Sequence, residues 1–387
     1  MTHTEKTLLN MLSHALAGSR MAETVPADAA LLPLAAAHKL VPLLSSAFPP
    51  GEIPGDWKQQ TLRQAVLQTR RTGAFLELYR EMEAAGLHPL VVKGILCRSL
   101  YPQPDLRPSS DEDLFVPPEE FPAFCRFLRE QGFVPTGETD GDAFEIGWRR
   151  DCLYIELHQY LFAPDSGAYG DLNRFFTPEG VPYRVENGQS VRSLNPHHHM
   201  LYLVLHAFKH FLHSGFGIRQ VCDICLWAGK YHDQIDWPLL SYQCKEAHAR
   251  GFAGAVLGIG THCLGISLPL PGGWAVTPDY PLPMLRDILC GGIYGSADKD
   301  RQHTATVTLN AVEASRTGRH RSPLAAIFPR RASLEGRYPY LKQHPILLPL
   351  AWGQRIFRYA REKSHPAQTA ALGKERISLL RYYDIIH

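Results

Sequence analysis

Leu90–Val116 reads LVVKGILCRSLYPQPDLRPSSDEDLFV. Leu90-Val91-Val92 is a short apolar run of the kind that forms a buried strand. Lys93-Gly94 turns it into a short helix, Ile95 to Leu100. A turn rich in Pro and Asp follows, then Ser109-Ser110-Asp111-Glu112-Asp113, and then a second apolar strand, Leu114-Phe115-Val116. Asp111 and Asp113 stand two apart, and side chains two apart on a strand share a face. Two carboxylates held together repel each other unless a cation lies between them. Mg²⁺, which takes one or two carboxylates and the phosphates of a substrate, suits such a pair. A glycine at a strand-to-helix turn offers backbone N–H groups to those phosphates.

A third carboxylate extends the pattern. Leu153-Tyr154-Ile155-Glu156-Leu157-His158 alternates as a strand does, with Glu156 and His158 on one face. Arg149-Arg150-Asp151 separates it from an earlier strand over 143–149, so the two read as a hairpin. On these residues the chain resembles the polymerase-β-type nucleotidyltransferase superfamily: Lys93-Gly94 with a following helix, Tyr101-Pro102, Leu106-Arg107-Pro108, the Asp111-x-Asp113 pair and Glu156. More closely, and over most of its length, it is similar to a bacterial family known as uncharacterised nucleotidyltransferases. The superfamily signature is a Gly-Ser or Gly-Gly turn, an acidic pair two apart and a third acid on a later strand. This chain departs from it in three places. Ile95 follows Gly94, the interval from Gly94 to Asp111 is long, and Glu112, where an apolar residue is usual, leaves an acid on the opposite strand face that needs water or a basic partner.

The resemblance implies an α+β fold. Its nucleotidyltransferase core, a small mixed sheet with helices, is flanked by N-terminal helices and a C-terminal helical domain. The expected organisation is an N-terminal helical region at 1–70, the core at 71–190, a helical domain at 191–283 and a basic helical region at 284–387. It also implies an enzyme that moves a nucleoside monophosphate from an NTP, ATP included, to an acceptor and releases pyrophosphate. Asp111, Asp113 and Glu156 would be both catalytic and metal-binding, with Mg²⁺ or alternatively Mn²⁺ as the ion. Lys93 and Gly94 would hold the β and γ phosphates, and Arg107 would neutralise the leaving pyrophosphate. Ser110 and His158 join the nucleotide-binding set, as do Lys209 and Arg219 as phosphate contacts and Asp223 as a group that orients a base or acceptor. The acceptor, whether a small molecule, a tRNA or a protein, is not legible in the sequence.

Other readings stand beside this one. A non-catalytic module of the same fold would bind nucleotide, nucleic acid or a protein. A zinc hydrolase would use His206, His210 and Asp223, although HExxH needs a Glu that is absent here. His197-His198-His199 makes a poor chelate, because neighbouring helical residues diverge. Asn195 and Pro196 suit a helix start. His38 reads as structural, and Cys222-x-x-Cys225 lies in a helix without a second pair, as buried structural cysteines do.

Composition narrows the class. Of 387 residues, 45% are hydrophobic and 20% charged, as in an ordinary globular protein. Eight scattered cysteines in a chain of this size do not make a disulfide scaffold. There is no signal-like N-terminal segment and no apolar run of ~18 residues, so a reduced, cytoplasmic protein without a transmembrane segment is expected. The net charge is +2, yet 315–387 carries 14 Lys or Arg against 4 Asp or Glu, leaving −8 for the remainder. This basic part includes Arg316, Arg319, Arg321, Arg330 and Arg331, then Arg355, Arg358 and Arg361 at a three-residue step. It suits docking of an apolar face on the catalytic part, or contact with an anionic surface. Helices are expected over 5–17, 29–47 and 57–85, the last running straight into the Leu90 strand.

Overall fold

A computed structural model of the chain describes residues 1–136, 143–164, 166–185, 188–213, 215–292, 308–316, 328, 331, 334, 338, 340–361 and 366–386. Arg319, Arg321 and Arg330 of the basic stretch lie outside the described residues.

The fold is a mixed α+β arrangement. Five strands form one sheet in the order β1-β2-β5-β4-β3: β1 Leu90–Val92, β2 Glu112–Phe115, β3 Val134–Thr136, β4 Glu145–Arg150 and β5 Leu153–His158. β2 runs parallel to β5, and the other pairs are antiparallel. The β4–β5 hairpin turns at Asp151, whose φ of 50° lies in the left-handed region that Asp tolerates in turns. Residues 165–190, which show no period in the sequence, include the start of a second, two-stranded ribbon, β6 Val181–Arg184 with β7 Ser190–Ser193. Its Arg192 N–H donates to Tyr79 Oη at 2.9 Å.

The N-terminal helices are α1 His3–Leu16, α2 Leu31–Ala37, α3 Val41–Ser45 and α4 Gly55–Ala84. The single helix expected over 29–47 is two helices, because Lys39 takes φ 52° between them and Pro42 sits in the first turn of α3. The 30-residue α4 braces the approach to β2. Gln68 Oε1 accepts from Ser109 N–H at 2.7 Å, and Arg71 donates to the carbonyls of Ser109 (2.8 Å) and Cys152 (2.9 Å). Position 70, a sequence boundary above, falls inside this helix.

After α5 Gly94–Arg98 and α6 Phe121–Glu130 come the helices of the second half: α7 Pro196–His213, α8 Ile218–Lys230, α9 Trp237–Glu246, α10 Arg250–Cys263 and α11 Leu282–Gly291. Asn195 Oδ1 accepts from His198 N–H and Asp236 Oδ1 from Leu239 N–H, both at 2.9 Å, so both expected caps are present. Later helices are α12 Leu348–Arg361 and α13 Pro366–Tyr382. One apolar core runs from Leu8 through the sheet and α7–α11 to Leu379, Leu380, Tyr383, Ile385 and Ile386 near the C-terminus. Ala351 of α12 instead joins a small separate cluster with Leu334, Tyr338 and Leu341. On the main core the basic C-terminal part docks through Val312, through Arg316, which donates to the Ala247 carbonyl at 2.9 Å, and through α13 and the residues after it. No helix among the described residues is long and apolar enough to cross a membrane.

Candidate active site

The parallel β2–β5 pairing sets Asp113 directly beside Glu156, with His158 two residues further along β5. Ligand atoms of Asp113, Glu156 and His158 all lie within 4.8 Å of one another, as a metal-binding group requires. Asp113 is buried, and its Oδ1 is 3.4 Å from His158 Nε2. His158 Nε2 is also 3.8 Å from Glu156 Oε2, and its Nδ1 is 3.3 Å from Glu145 Oε2. Glu145, on β4 opposite His158, is a fourth polar neighbour that sequence reasoning missed. Its place in the alternation of β4 could have shown it.

Asp111 precedes β2 rather than lying in it, and is not one of these three ligands. It accepts from Ser110 Oγ at 3.3 Å, and its charge still reaches Glu156. The expected Asp111, Asp113, Glu156 triad is thus partly assembled: Asp113 and Glu156 converge with His158, while Asp111 stands at the edge.

Opposing effects separate the two central acids. Burial raises the Asp113 carboxyl, but the Lys93 ammonium and then His158 outweigh it, holding Asp113 well below the usual carboxylate range. Glu156 is pushed up to about 8, by burial first and then by Asp113 and Asp111, with Lys93 pulling the other way. Asp113 Oδ2 takes a charge-assisted contact from Lys93 Nζ at 3.0 Å. Two convergent carboxylates and an imidazole, with ligand atoms this close together, fit a divalent cation. The oxygens suit Mg²⁺, and the imidazole is the donor that Mn²⁺ accepts more readily.

Lys93 is held from three sides. Its backbone takes φ 63°, ψ −129°, which is strained for a residue with a Cβ. Its N–H donates to His199 Nε2 at 3.1 Å, and its Nζ lies 3.2 Å from His206 Nε2. His199 is buried against Trp227, with ring centroids 3.9 Å apart. Burial and then Lys93 lower its pKa to about 3, so it stays a neutral acceptor. Burial likewise drives His206 and His210 well below their ordinary value. The two rings meet Nε2 to Nε2 at 2.9 Å. Half-buried Lys209 lies close enough to Glu145, Asp113 and Glu156 to feel their charge, although burial dominates and lowers its pKa.

At the Gly94 turn the acid between the two aspartates has its own task. Glu112 Oε2 accepts the Ile95 N–H at 2.9 Å, and Oε1 pairs with the fully buried Arg98 at 2.6 Å. Arg98 is the basic partner that Glu112 needed. A Cβ on Gly94 would come within 1.9 Å of Glu112 Oε2, which, with φ +39°, is why this position is glycine. The carboxylate occupies the second amide of α5, so the Ile95 N–H is not open to phosphates. Among the described residues the Gly94 N–H has no partner.

Arg107 and Asp223 are directed at each other. Both are buried, Arg107 Nε donates to Asp223 Oδ1 at 3.0 Å, its Nη2 bonds Oδ2, and Tyr101 Oη adds a 2.8 Å bond. Arg219 donates to the Pro108 carbonyl. Lys93, Asp111, Arg107, Asp223 and Arg219 line one small cavity of about 20 Å³, room for a water but not for a triphosphate.

The remaining candidates are structural. His197 meets Gln243 at 2.9 Å and His198 meets Asn195 at 3.1 Å, so the three histidines face three different partners. His38 is buried with Nε2 3.3 Å from the Leu289 carbonyl. Cys222 and Cys225 are buried free thiols whose pKa burial raises.

A small mixed sheet with acids on two parallel neighbouring strands, beside a Lys-Gly strand-to-helix turn, is consistent with a nucleotidyltransferase fold. The chain belongs to the uncharacterised nucleotidyltransferase family, whose model matches residues 26–265. Neither the curated proteins nor the solved structures include a match.

Proposed function

We propose that the protein transfers a nucleoside monophosphate from an NTP to an acceptor hydroxyl or similar nucleophile, with release of pyrophosphate, in a Mg²⁺-dependent reaction. The observation that carries this reading is the in-register pair Asp113–Glu156 with His158 beside it. Asp113 and Glu156 would hold the ion, with His158 as a third donor and Asp111 as an outer carboxylate. When bound, such an ion supplies positive charge to the phosphates and to the developing charge of the transition state.

The chain's own groups would do the rest. Glu156, raised in the metal-free chain by burial and then by Asp113 and Asp111, would be ionised by a bound cation and so placed to help take the proton of the attacking nucleophile. The acceptor oxygen forms a bond to the α-phosphorus, the bond from that phosphorus to the bridging oxygen breaks, and pyrophosphate leaves. Lys93 and the Gly94 N–H would bind the β and γ phosphates, with Lys209 and Arg219 on the helical side and Ser110 beside Asp111. Arg107 and Asp223 would act by fixing the loop before β2 to α8. The small volume between Lys93, Asp111 and Arg219 requires side chains there to move when nucleotide enters.

Incubating the protein with Mg²⁺, each labelled NTP and a cell extract tests the proposal, with pyrophosphate release and labelled acceptor as readouts. Asp113→Asn should abolish both in a folded protein. NTP binding by calorimetry without any pyrophosphate release would instead make the chain a non-catalytic nucleotide-binding module. Full activity in Asp113→Asn would remove the catalytic reading.

A further inference from the structure

A cavity of about 740 Å³ opens between the start of α9, the α9–α10 turn and residues 271–274. It shares no lining residue with the acidic cluster of β2 and β5. Its size falls within the ~300–1,000 Å³ of small-molecule sites.

Its apolar walls are Trp237 and Trp274, both buried, packed edge to face with centroids 5.5 Å apart. Arg250 spreads over Trp274, its guanidinium carbon 3.6 Å from the ring centroid. Arg250 Nε donates to Ser241 Oγ at 3.0 Å, and Nη2 donates to the Gly273 carbonyl. Every partner of this half-buried cation is neutral, and among the described residues it has no carboxylate partner. Burial lowers its pKa accordingly. Lys245 and His248 line the same cavity. His248 has the left-handed φ of 55° that turns α9 into α10. Against these three basic groups the lining holds one acid, Asp384, which makes no ion pair with Arg250 or Lys245 among the described residues.

A half-buried guanidinium whose partners are all neutral gains when an anion arrives. A rigid Arg fork with a second cation nearby favours phosphate, and the volume of the cavity, with Pro238, Pro271 and Tyr280 in its lining, leaves room for a flat apolar moiety attached to it. We propose that this cavity binds a small phosphate monoester with a ring or other flat apolar part, at a site separate from the nucleotidyl-transfer centre. A bare phosphate would leave most of the cavity unfilled.

Phenyl phosphate and inorganic phosphate are the probes, titrated by calorimetry and tryptophan fluorescence into the full chain without divalent ions. Phenyl phosphate should bind saturably at one site and quench tryptophan emission. Lys245→Gln and Arg250→Gln should each weaken it by at least ~10-fold, and Asp113→Asn should leave it unchanged. The Lys245 side chain is exposed and makes no hydrogen bond or ion pair among the described residues, so its variant tests the site even if Arg250→Gln fails to fold. Three results would overturn the proposal: no saturable binding up to ~10 mM phenyl phosphate, unchanged affinity in Lys245→Gln, or inorganic phosphate binding as tightly as the ester. Loss of binding in Asp113→Asn would assign the probe to the catalytic centre, which also overturns it. Nucleotidyl transfer can fail its own test without affecting this result.

Discussion

Glu156 carries the clearest conflict between stability and chemistry. Its carboxyl is raised from an ordinary 4.5 to about 8 because folding buries it beside Asp113 and Asp111. The folded state therefore holds a proton that the unfolded state has lost between those values, and stability from this group falls as pH rises from about 4.5 to 8. Asp113 has the opposite sign. Its lowered carboxyl contributes stability above an ordinary 3.8 that is lost as pH falls further. Glu156→Gln removes the first effect and keeps the shape. In metal-free buffer at pH 8 it should be more stable than the parent by ~0.5–2 kcal/mol, with a flatter denaturation profile between pH 5 and 8. Adding a divalent cation should stabilise the parent and not the variant. Equal melting temperatures across that range would show that the repulsion is absent. Much of this was legible in the sequence, because Asp113, Glu156 and His158 follow a strand's alternation, and alternation fixes a face. The three-way hold on Lys93 was not, since its partners His199 and His206 are 106 and 113 residues away and no local period connects them.

At the scale of elements, α5 is fastened to β2 by Glu112 reaching back to the Ile95 amide and to Arg98. The sequence shows Glu112 as an extra acid on the wrong face and Arg98 as one cation in a short helix. Their pairing appears only once the strand–helix–strand path folds back on itself. Because both side chains are buried, removing one partner leaves an uncompensated charge. Glu112→Leu and Arg98→Met alone should each cost ~3–5 kcal/mol, while the double variant should recover most of that loss. Urea denaturation of the four proteins measures the cycle; strictly additive costs would mean the pair is not coupled. Gly94→Ala meets the same carboxylate at 1.9 Å in a backbone region of φ +39°. It should therefore destabilise the parent, and destabilise a Glu112→Ala background less. The helices of the second half were readable from caps and spacing. The split of 29–47 into α2 and α3 was not, because Lys39 is not a residue type that announces a left-handed turn.

Across the whole molecule, the C-terminal end completes a core that begins at residue 8. Arg376 is fully buried, pairs with Asp287 at 3.3 Å, donates to the Phe211 carbonyl and lies 5.3 Å from the centre of that residue's ring. Tyr383 Oη accepts from Met284 N–H and donates to the Tyr280 carbonyl, each at 3.0 Å. Leu380, Ile385 and Ile386 are buried in the same cluster as α7–α11. The charge count for 315–387 suggests that the basic region settles on the acidic remainder of the chain, but charge totals say nothing about which segment does so. Contact at this end is made by apolar side chains and Arg376, a pattern with too little period to stand out: Arg376, Leu379 and Leu380 are buried on α13, and Tyr383, Ile385 and Ile386 beyond it follow no helical step. Burial of this kind couples the tail to the rest of the fold. Tyr383→Phe should lose its two hydrogen bonds at a cost of ~1–3 kcal/mol. A stop codon after residue 374 should destabilise α7–α11 as well as the tail, because Phe211, Tyr280, Met284 and Asp287 all lose partners. Amide exchange of α7 and α11 in the truncated chain measures this. Exchange as slow as in the full chain would show that the tail is an appendage, and faster exchange in both helices that the C-terminus closes the same cooperative unit that carries the acidic site.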